Sequence, residues 1–101
     1  MPEFKKLADK SEIPEGTGKI FEVGGNHVAL WNVGGNFYAF QNVCPHRGGP
    51  VGEGELEGNI ITCPWHGWQF DVTTCQNTFN PSAKLTKYDI QVDGDEIKIA
   101  L

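Results

Sequence analysis

This 101-residue chain is poor in metal-binding residues and in positive charge. It has three cysteines and three histidines, and its eight lysines and arginines face thirteen aspartates and glutamates. The formal net charge of −5 argues against nucleic acid as a partner, because phosphates require a basic protein face. An acidic protein suits docking to a partner with a basic patch, although an ordinary solvated surface carries the same charge.

Long apolar runs are also missing. No stretch approaches the ~20 residues of a membrane helix, and the N-terminal segment lacks the apolar core of a secretory signal. We therefore expect one cytoplasmic domain. Three cysteines cannot all pair, and a reducing cytosol disfavours disulfides, so the combination of cysteine with histidine is better interpreted as ligand chemistry.

No segment keeps a helical period for three turns, and "LADKSEIPEG" allows one turn at most because Pro14 and Gly16 end it. The sequence "VGGN" occurs twice, and Gly-Gly pairs supply the positive φ angles of tight hairpin turns. Gly58-Asn59 and Asp93-Gly94 are further turn signals. An all-β fold follows, with antiparallel strands predicted at Lys19–Val23, His27–Val33, Phe37–Gln41, Tyr88–Val92 and Glu96–Leu101.

Between these strands lies a long excursion, Val43–Pro81, with many glycines and too few apolar residues to build a core unaided. We expect one domain over residues 1–101, with a base formed by residues 1–42 and 82–101. Residues 43–81 would then form an inserted subdomain that is organised by its metal.

The excursion contains two mixed pairs of ligand residues, in "CPHRGG" and "CPWHGW". Two cysteines and two histidines would satisfy a tetrahedral zinc site. In both loops, however, proline follows the cysteine, and glycine comes one or two residues after the histidine. Such loops can turn backbone amides towards bridging sulfides, which favours an iron–sulfur cluster and leaves zinc open.

The spacing Cys-x-His, sixteen residues, Cys-x-x-His, extended by "CPWHGWQFD", resembles the Rieske [2Fe–2S] motif. With "ALWNVGGNFYAFQNVCPH" and "LTKYDIQVDGDEI", the resemblance covers nearly the whole chain. It is similar to the ferredoxins that feed bacterial aromatic-ring-hydroxylating dioxygenases. The resemblance implies a sandwich of antiparallel sheets with an inserted cluster-binding subdomain.

The resemblance also implies the ligand set. Cys44 and Cys63 would hold one iron through thiolates, and His46 and His66 would hold the other through imidazoles. Pro81 would lie in a loop that shields the cluster.

Neutral imidazoles in place of two thiolates make reduction easier, and they raise the potential into the roughly −150 to +300 mV Rieske range. High-potential members of the family donate hydroxyl hydrogen bonds to the cluster and tie its two loops with a disulfide. This chain has Trp68 and Phe70 at the hydroxyl positions and Gly49 and Trp65 at the disulfide positions. We therefore expect a potential near the low end, about −150 mV.

Other residues have weaker signals. Trp65, Trp68 and Phe70 would serve as core aromatics that also exclude water from the irons, and His27 would be a surface residue. Cys75 stands where relatives commonly have glycine, and we interpret it as a free structural thiol. Arg47 is a candidate docking contact. Glu53, Glu55 and Glu57 would form a solvated loop or assist docking.

The first hypothesis for function is a monomeric one-electron carrier between a flavin-dependent reductase and a terminal oxygenase, not itself an enzyme and with no membrane or nucleic-acid partner. The alternatives are a small subunit of an assimilatory nitrite reductase and a zinc-stabilised interaction module. A complete Rieske oxygenase is excluded, because its mononuclear iron needs two further histidines and only His27 remains.

Overall fold

The computed structural model describes residues 4–43, 50–64, 67–80 and 83–100. These ranges contain short β-strands and two 3₁₀ turns, Lys10–Glu12 and Val51–Glu53. No helix in them has the length and apolar character needed to cross a bilayer. The strands are β1 Phe4–Asp9, β2 Gly18–Val23, β3 Asn26–Val33, β4 Asn36–Gln41, β5 Glu55–Glu57, β6 Ile60–Thr62, β7 Gln69–Asp71, β8 Gln76–Asn77, β9 Lys87–Tyr88, β10 Ile90–Asp93 and β11 Glu96–Ala100.

All strand pairs are antiparallel, and they form three sheets. The first sheet has the order β1-β11-β10, the second β2-β3-β4-β9 and the third β5-β6-β7-β8. The predicted all-β fold of antiparallel sheets is therefore confirmed.

The second sheet is buried on both faces, because alternate residues of β3 point into different cores. Val28 and Leu30 pack with Ile97 and Ile99 of the first sheet. Ala29 and Trp31 enter a second core, whose other members include Val51, Ile61, Cys63 and Phe70. The middle of β3 therefore consists of consecutive buried residues. In a strand with one solvated face, buried and exposed residues would alternate instead.

The two "VGGN" segments form the predicted hairpin turns. Gly24 and Gly25 have φ angles of 57° and 83°, and Gly34 and Gly35 have φ angles of 62° and 91°. Positive φ at both turn residues is the requirement of the type I′ hairpin, which glycine meets without steric cost. These turns connect β2 to β3 and β3 to β4 in continuous register.

The third sheet lies within the predicted excursion, and its longest strands have three residues. One row of side chains, Leu56, Ile61 and Phe70, faces the core that the third sheet shares with the second. The short sheet thus buries its apolar face against the second sheet, as its low apolar content requires. The division of the chain into base and inserted subdomain stays a prediction.

Two details of the sequence interpretation were wrong. The predicted strand Tyr88–Val92 is divided at Asp89: β9 pairs with β4 in the second sheet and β10 pairs with β11 in the first. Val92 is consequently 42% exposed and not part of a buried face. The following turn is formed by residues 94–95, one position later than predicted, because Asp93 still pairs with Glu96.

Strand β1 was not predicted at all. It adds to the edge of the first sheet beside β11, with an irregular register between Lys6 and Ala8. The segment after it forms the single short turn that was allowed there, Lys10–Glu12.

Gly52 is the point where the chain between the second and third sheets is fixed to the second sheet. The Trp31 Nε1 group donates to the Gly52 carbonyl oxygen at 3.1 Å. The Gly52 amide in turn donates to Asn42 Oδ1 at 2.6 Å. A Cβ at this position would collide with Ala29. Both backbone groups of a buried residue are therefore satisfied, one by a side chain of β3 and the other by the side chain of the residue that follows β4.

We expect Trp31→Phe to lower the free energy of unfolding by about 1–3 kcal/mol, because it leaves the buried Gly52 carbonyl without its donor. Urea unfolding followed by circular dichroism measures the change. Tyr38→Phe is the matched control: Tyr38 pairs with Trp31 across the sheet, and its hydroxyl has no hydrogen bond to the described residues. Equal stability of the two variants would contradict the role given to this bond.

Candidate metal centre

Only one of the four predicted ligands, Cys63, lies among the described residues; Cys44, His46 and His66 lie outside them. Within residues 4–43, 50–64, 67–80 and 83–100, no three His, Cys, Asp or Glu side chains are grouped closely enough to hold a metal ion. The assignment of the four ligands stays a prediction, and Cys63 is the one whose surroundings can be tested.

Cys63 follows β6 directly, where the β6–β7 hairpin opens into its loop. Its backbone amide donates to the Trp68 carbonyl oxygen at 2.7 Å. This bond continues the ladder in which Thr62 pairs with Gln69. It closes a loop of residues 63–68, a range that includes His66 in the sequence, and Gly67 takes a φ of 72° within it. Cys63, the cysteine of the second predicted cysteine–histidine pair, therefore lies where this hairpin opens into its loop.

The Cys63 side chain is only 1% exposed and belongs to the core shared by the second and third sheets. A cysteine beside an apolar core, at the mouth of a glycine-containing loop, fits a soft thiolate ligand that is shielded from water. The residues present here thus fit an iron–sulfur centre on the side of Cys63.

An open cleft of about 520 Å³ adjoins this position, lined by Glu53, Gly54, Glu55, Thr62, Cys63, Pro64 and Gly67. Gly54 lies against the Thr62 carbonyl oxygen, which a Cβ would strike. Only glycine allows this close approach to Thr62, the residue that precedes Cys63. The 3₁₀ turn at Val51–Glu53 is consequently packed against the base of the hairpin loop.

Aromatic residues cover the same hairpin. Phe70 is fully buried, and Trp68 is partly buried against the same core. The centroids of their rings are 6.4 Å apart, with an interplanar angle of 37°. Both side chains therefore act as apolar packing near Cys63, as predicted. Trp65 lies outside the described residues.

Cys75 is the other buried cysteine, and its position differs from that of Cys63. It has a φ of 62°, the left-handed conformation that favours glycine and costs another residue roughly 1–2 kcal/mol. The turn is held by Asp71, whose carbonyl oxygen accepts from the Cys75 amide at 2.6 Å. Burial raises the pKa of the Cys75 thiol, so the group stays protonated at neutral pH. The interpretation as a structural thiol agrees with this environment.

Sequence reasoning missed Asn77, a buried polar residue that organises the segment following β8. Asn77 Oδ1 accepts from the amides of Phe79 and Asn80, at 2.9 and 2.8 Å. Its Nδ2 donates to the carbonyl oxygen of Gln69 at 3.1 Å. Asparagine before a short polar segment is the available signal, because its side chain commonly closes such turns.

The other candidate functional residues are either exposed or outside the described part of the chain. His27 is exposed at the start of β3, as predicted, and Glu53, Glu55 and Glu57 are exposed. Arg47, Gly49 and Pro81 lie outside the described residues.

The chain is similar to known proteins over nearly its full length. The model of the "Rieske [2Fe-2S] domain" family matches residues 3–89. The ferredoxin component of the naphthalene 1,2-dioxygenase system of Pseudomonas aeruginosa is 37% identical over 91 residues, which cover 89% of this chain and 88% of that protein.

Two solved structures are similar as well. The ferredoxin of carbazole 1,9a-dioxygenase from Nocardioides aromaticivorans IC177 superposes with a TM-score of 0.86 at 30% identity, covering 96% of both chains. A chain from the complex of reduced oxygenase and oxidized ferredoxin in carbazole 1,9a-dioxygenase also gives 0.86. It is 31% identical, and the match covers 96% of this chain and 92% of that one.

We expect Cys63→Ala to abolish cluster binding and Cys75→Ala to leave it intact, although both cysteines are almost fully buried. The reason is that only Cys63 lies in the hairpin loop, whereas Cys75 is held in a separate turn. Iron and acid-labile sulfide per chain, after anaerobic reconstitution, measure the difference, and circular dichroism checks the fold. A full complement of sulfide in Cys63→Ala would rule out Cys63 as a ligand.

Proposed function

Because the chain belongs to the Rieske [2Fe–2S] domain family, we propose that it carries electrons one at a time from a flavin-dependent reductase to the terminal oxygenase of a ring-hydroxylating system. The family resemblance seen in the sequence is thereby confirmed. The protein holds one [2Fe–2S] cluster of the Rieske type. It is an electron-transfer component and not itself an enzyme.

The observation that carries the proposal is the family match over residues 3–89, and the position of Cys63, buried at the mouth of a hairpin loop, supports it. We infer that Cys44 and Cys63 hold one iron through thiolates, and that His46 and His66 hold the other. When bound, the cluster supplies a centre that accepts and releases one electron. The chain's own contribution is to fix the Cys63 backbone through Trp68 and to keep water away with Phe70.

The proposed partners follow from relatives. One relative is named as the ferredoxin component of a naphthalene dioxygenase system, and another similar chain belongs to a complex of oxygenase and ferredoxin. By the same chemistry we propose an oxygenase as electron acceptor here, and a flavin reductase as donor. We further propose that the protein acts as a cytoplasmic monomer, with no membrane or nucleic-acid partner, and that residues 43–81 form its cluster-binding subdomain.

The named relatives favour this function over the two alternatives. They are components of dioxygenase systems, whereas a small subunit of nitrite reductase would serve a different terminal enzyme. The zinc-stabilised module is set aside, because the family binds an iron–sulfur cluster.

Reconstituted electron flow tests the proposed function. Purified flavin reductase, this protein and a terminal oxygenase are combined with NADH and an aromatic substrate, and hydroxylated product is measured. We expect product formation to depend on this protein and to saturate with its concentration. Product formation at the same rate without the protein would refute the proposal.

A second prediction concerns the potential. Trp68 and Phe70 have no hydroxyl to donate to the cluster, so we expect a midpoint near the low end of the Rieske range, about −150 mV. Potentiometric titration followed by the EPR signal of the reduced protein measures it, and a midpoint clearly above zero contradicts the argument.

His66→Cys extends this measurement. A thiolate in place of a neutral imidazole adds negative charge to the site, so the variant should retain a cluster with a lower potential. An unchanged potential would count against His66 as a ligand.

A further inference from the structure

Phe79 is by far the most exposed large apolar side chain in the described part of the chain. It is 86% exposed, whereas Phe4, Val43 and Val92 are 39–44% exposed. An isolated exposed apolar residue is common on protein surfaces. Whether Phe79 has a role therefore depends on where it lies and on how its backbone is held.

The backbone on both sides of Phe79 is held by hydrogen bonds. The Phe79 amide donates to Oδ1 of buried Asn77 at 2.9 Å, and the Asn80 amide donates to the same oxygen. Further along, the Ala83 amide donates to the Asn80 carbonyl, and the Asn77 amide donates to the Ala83 carbonyl, at 2.9 and 2.8 Å. An aromatic side chain on a fixed backbone loses little conformational freedom when it is buried by a partner.

This loop is attached directly to the hairpin that carries Cys63. Asn77 Nδ2 and the Thr78 amide both donate to the carbonyl oxygen of Gln69, each at 3.1 Å. Gln69 is adjacent in the chain to Trp68, whose carbonyl oxygen accepts from the Cys63 amide. Two hydrogen bonds thus link the neighbourhood of Phe79 to Cys63: the bond from Thr78 to Gln69 and the bond from Cys63 to Trp68. Phe4 and Val92, by contrast, lie on the two outer strands of the first sheet.

We propose that Phe79 is the apolar anchor by which this protein docks on its electron-accepting oxygenase, inserting into an apolar recess of that partner. The inference rests on the proposed function: the acceptor must approach the cluster, for which Cys63 is a predicted ligand, and a similar chain belongs to a complex of oxygenase and ferredoxin. Aromatic residues dominate the binding energy of many protein interfaces when they fill a pocket near the interface centre. Asn77 is the positioning residue that holds the anchor in place.

Steady-state turnover of an oxygenase at increasing concentrations of the reduced protein tests this role. The probes are the purified oxygenases of the naphthalene and carbazole systems. Phe79→Ser should raise the KM of the oxygenase for this protein about tenfold, as expected for a truncated anchor. The rate at saturation, the midpoint potential and the rate of reduction by the reductase should not change. Phe79→Trp should restore the KM.

Phe4→Ser is the matched control, since it also removes an exposed aromatic ring but from the edge of the first sheet. Its KM should equal that of the unaltered protein. Because Phe79 is mostly exposed, Phe79→Ser should fold normally, and its visible spectrum provides the check.

The outcomes are separable. If the unaltered protein reduces neither oxygenase, the proposed function fails and the anchor fails with it. If it reduces one of them and Phe79→Ser has an unchanged KM, only the anchor is overturned. A defect confined to reduction by the reductase, or a dimer that Phe79→Ser abolishes, would also overturn it, because the residue would then serve the reductase or a second copy.

Discussion

The rest of the structure depends on one constraint, which is the pair of hydrogen bonds that fixes the Gly52 backbone next to the second sheet. Trp31 and Asn42 bind the two backbone groups of this residue, so the chain enters the third sheet at a fixed place. Two residues later Gly54 lies against the Thr62 carbonyl, and Thr62 precedes Cys63. A continuous series of close contacts therefore leads from the second sheet to Cys63, the predicted ligand. The third sheet is too short to fix that position by itself.

The parts of the fold that sequence predicted well are those with local causes. A Gly-Gly turn and its flanking β-branched and aromatic residues specify a hairpin without reference to the rest of the chain. The split at Asp89 has no such local cause, because alternation indicates a strand but not its partner. Strand β1 was missed for a related reason: it lies at the edge of a sheet, and Ala8 is its one fully buried residue.

The candidate site was predictable to a different degree. The ligand spacing identified the family, and with it the cofactor, before any geometry was known. Asn77 was not predicted, because an asparagine that binds two amides at once is recognised only when the loop around it is placed. The turn at Cys75 lies between these cases. Its left-handed φ is the conformation that favours glycine, so the chain forms this turn at a steric cost.

Cys63, the predicted ligand, and Cys75 are both buried, so burial alone does not distinguish them. Both belong to the same core, yet their surroundings differ. The Cys75 thiol donates to the Val72 carbonyl oxygen, with an S···O distance of 3.9 Å, and burial raises its pKa. A metal ligand must instead lose its proton, which a positively charged iron centre promotes and an apolar pocket opposes. Cys63 lines a cleft at the mouth of a loop, whereas Cys75 lies in a closed turn. The difference in backbone placement, and not in residue type or exposure, therefore separates the predicted ligand from the structural thiol.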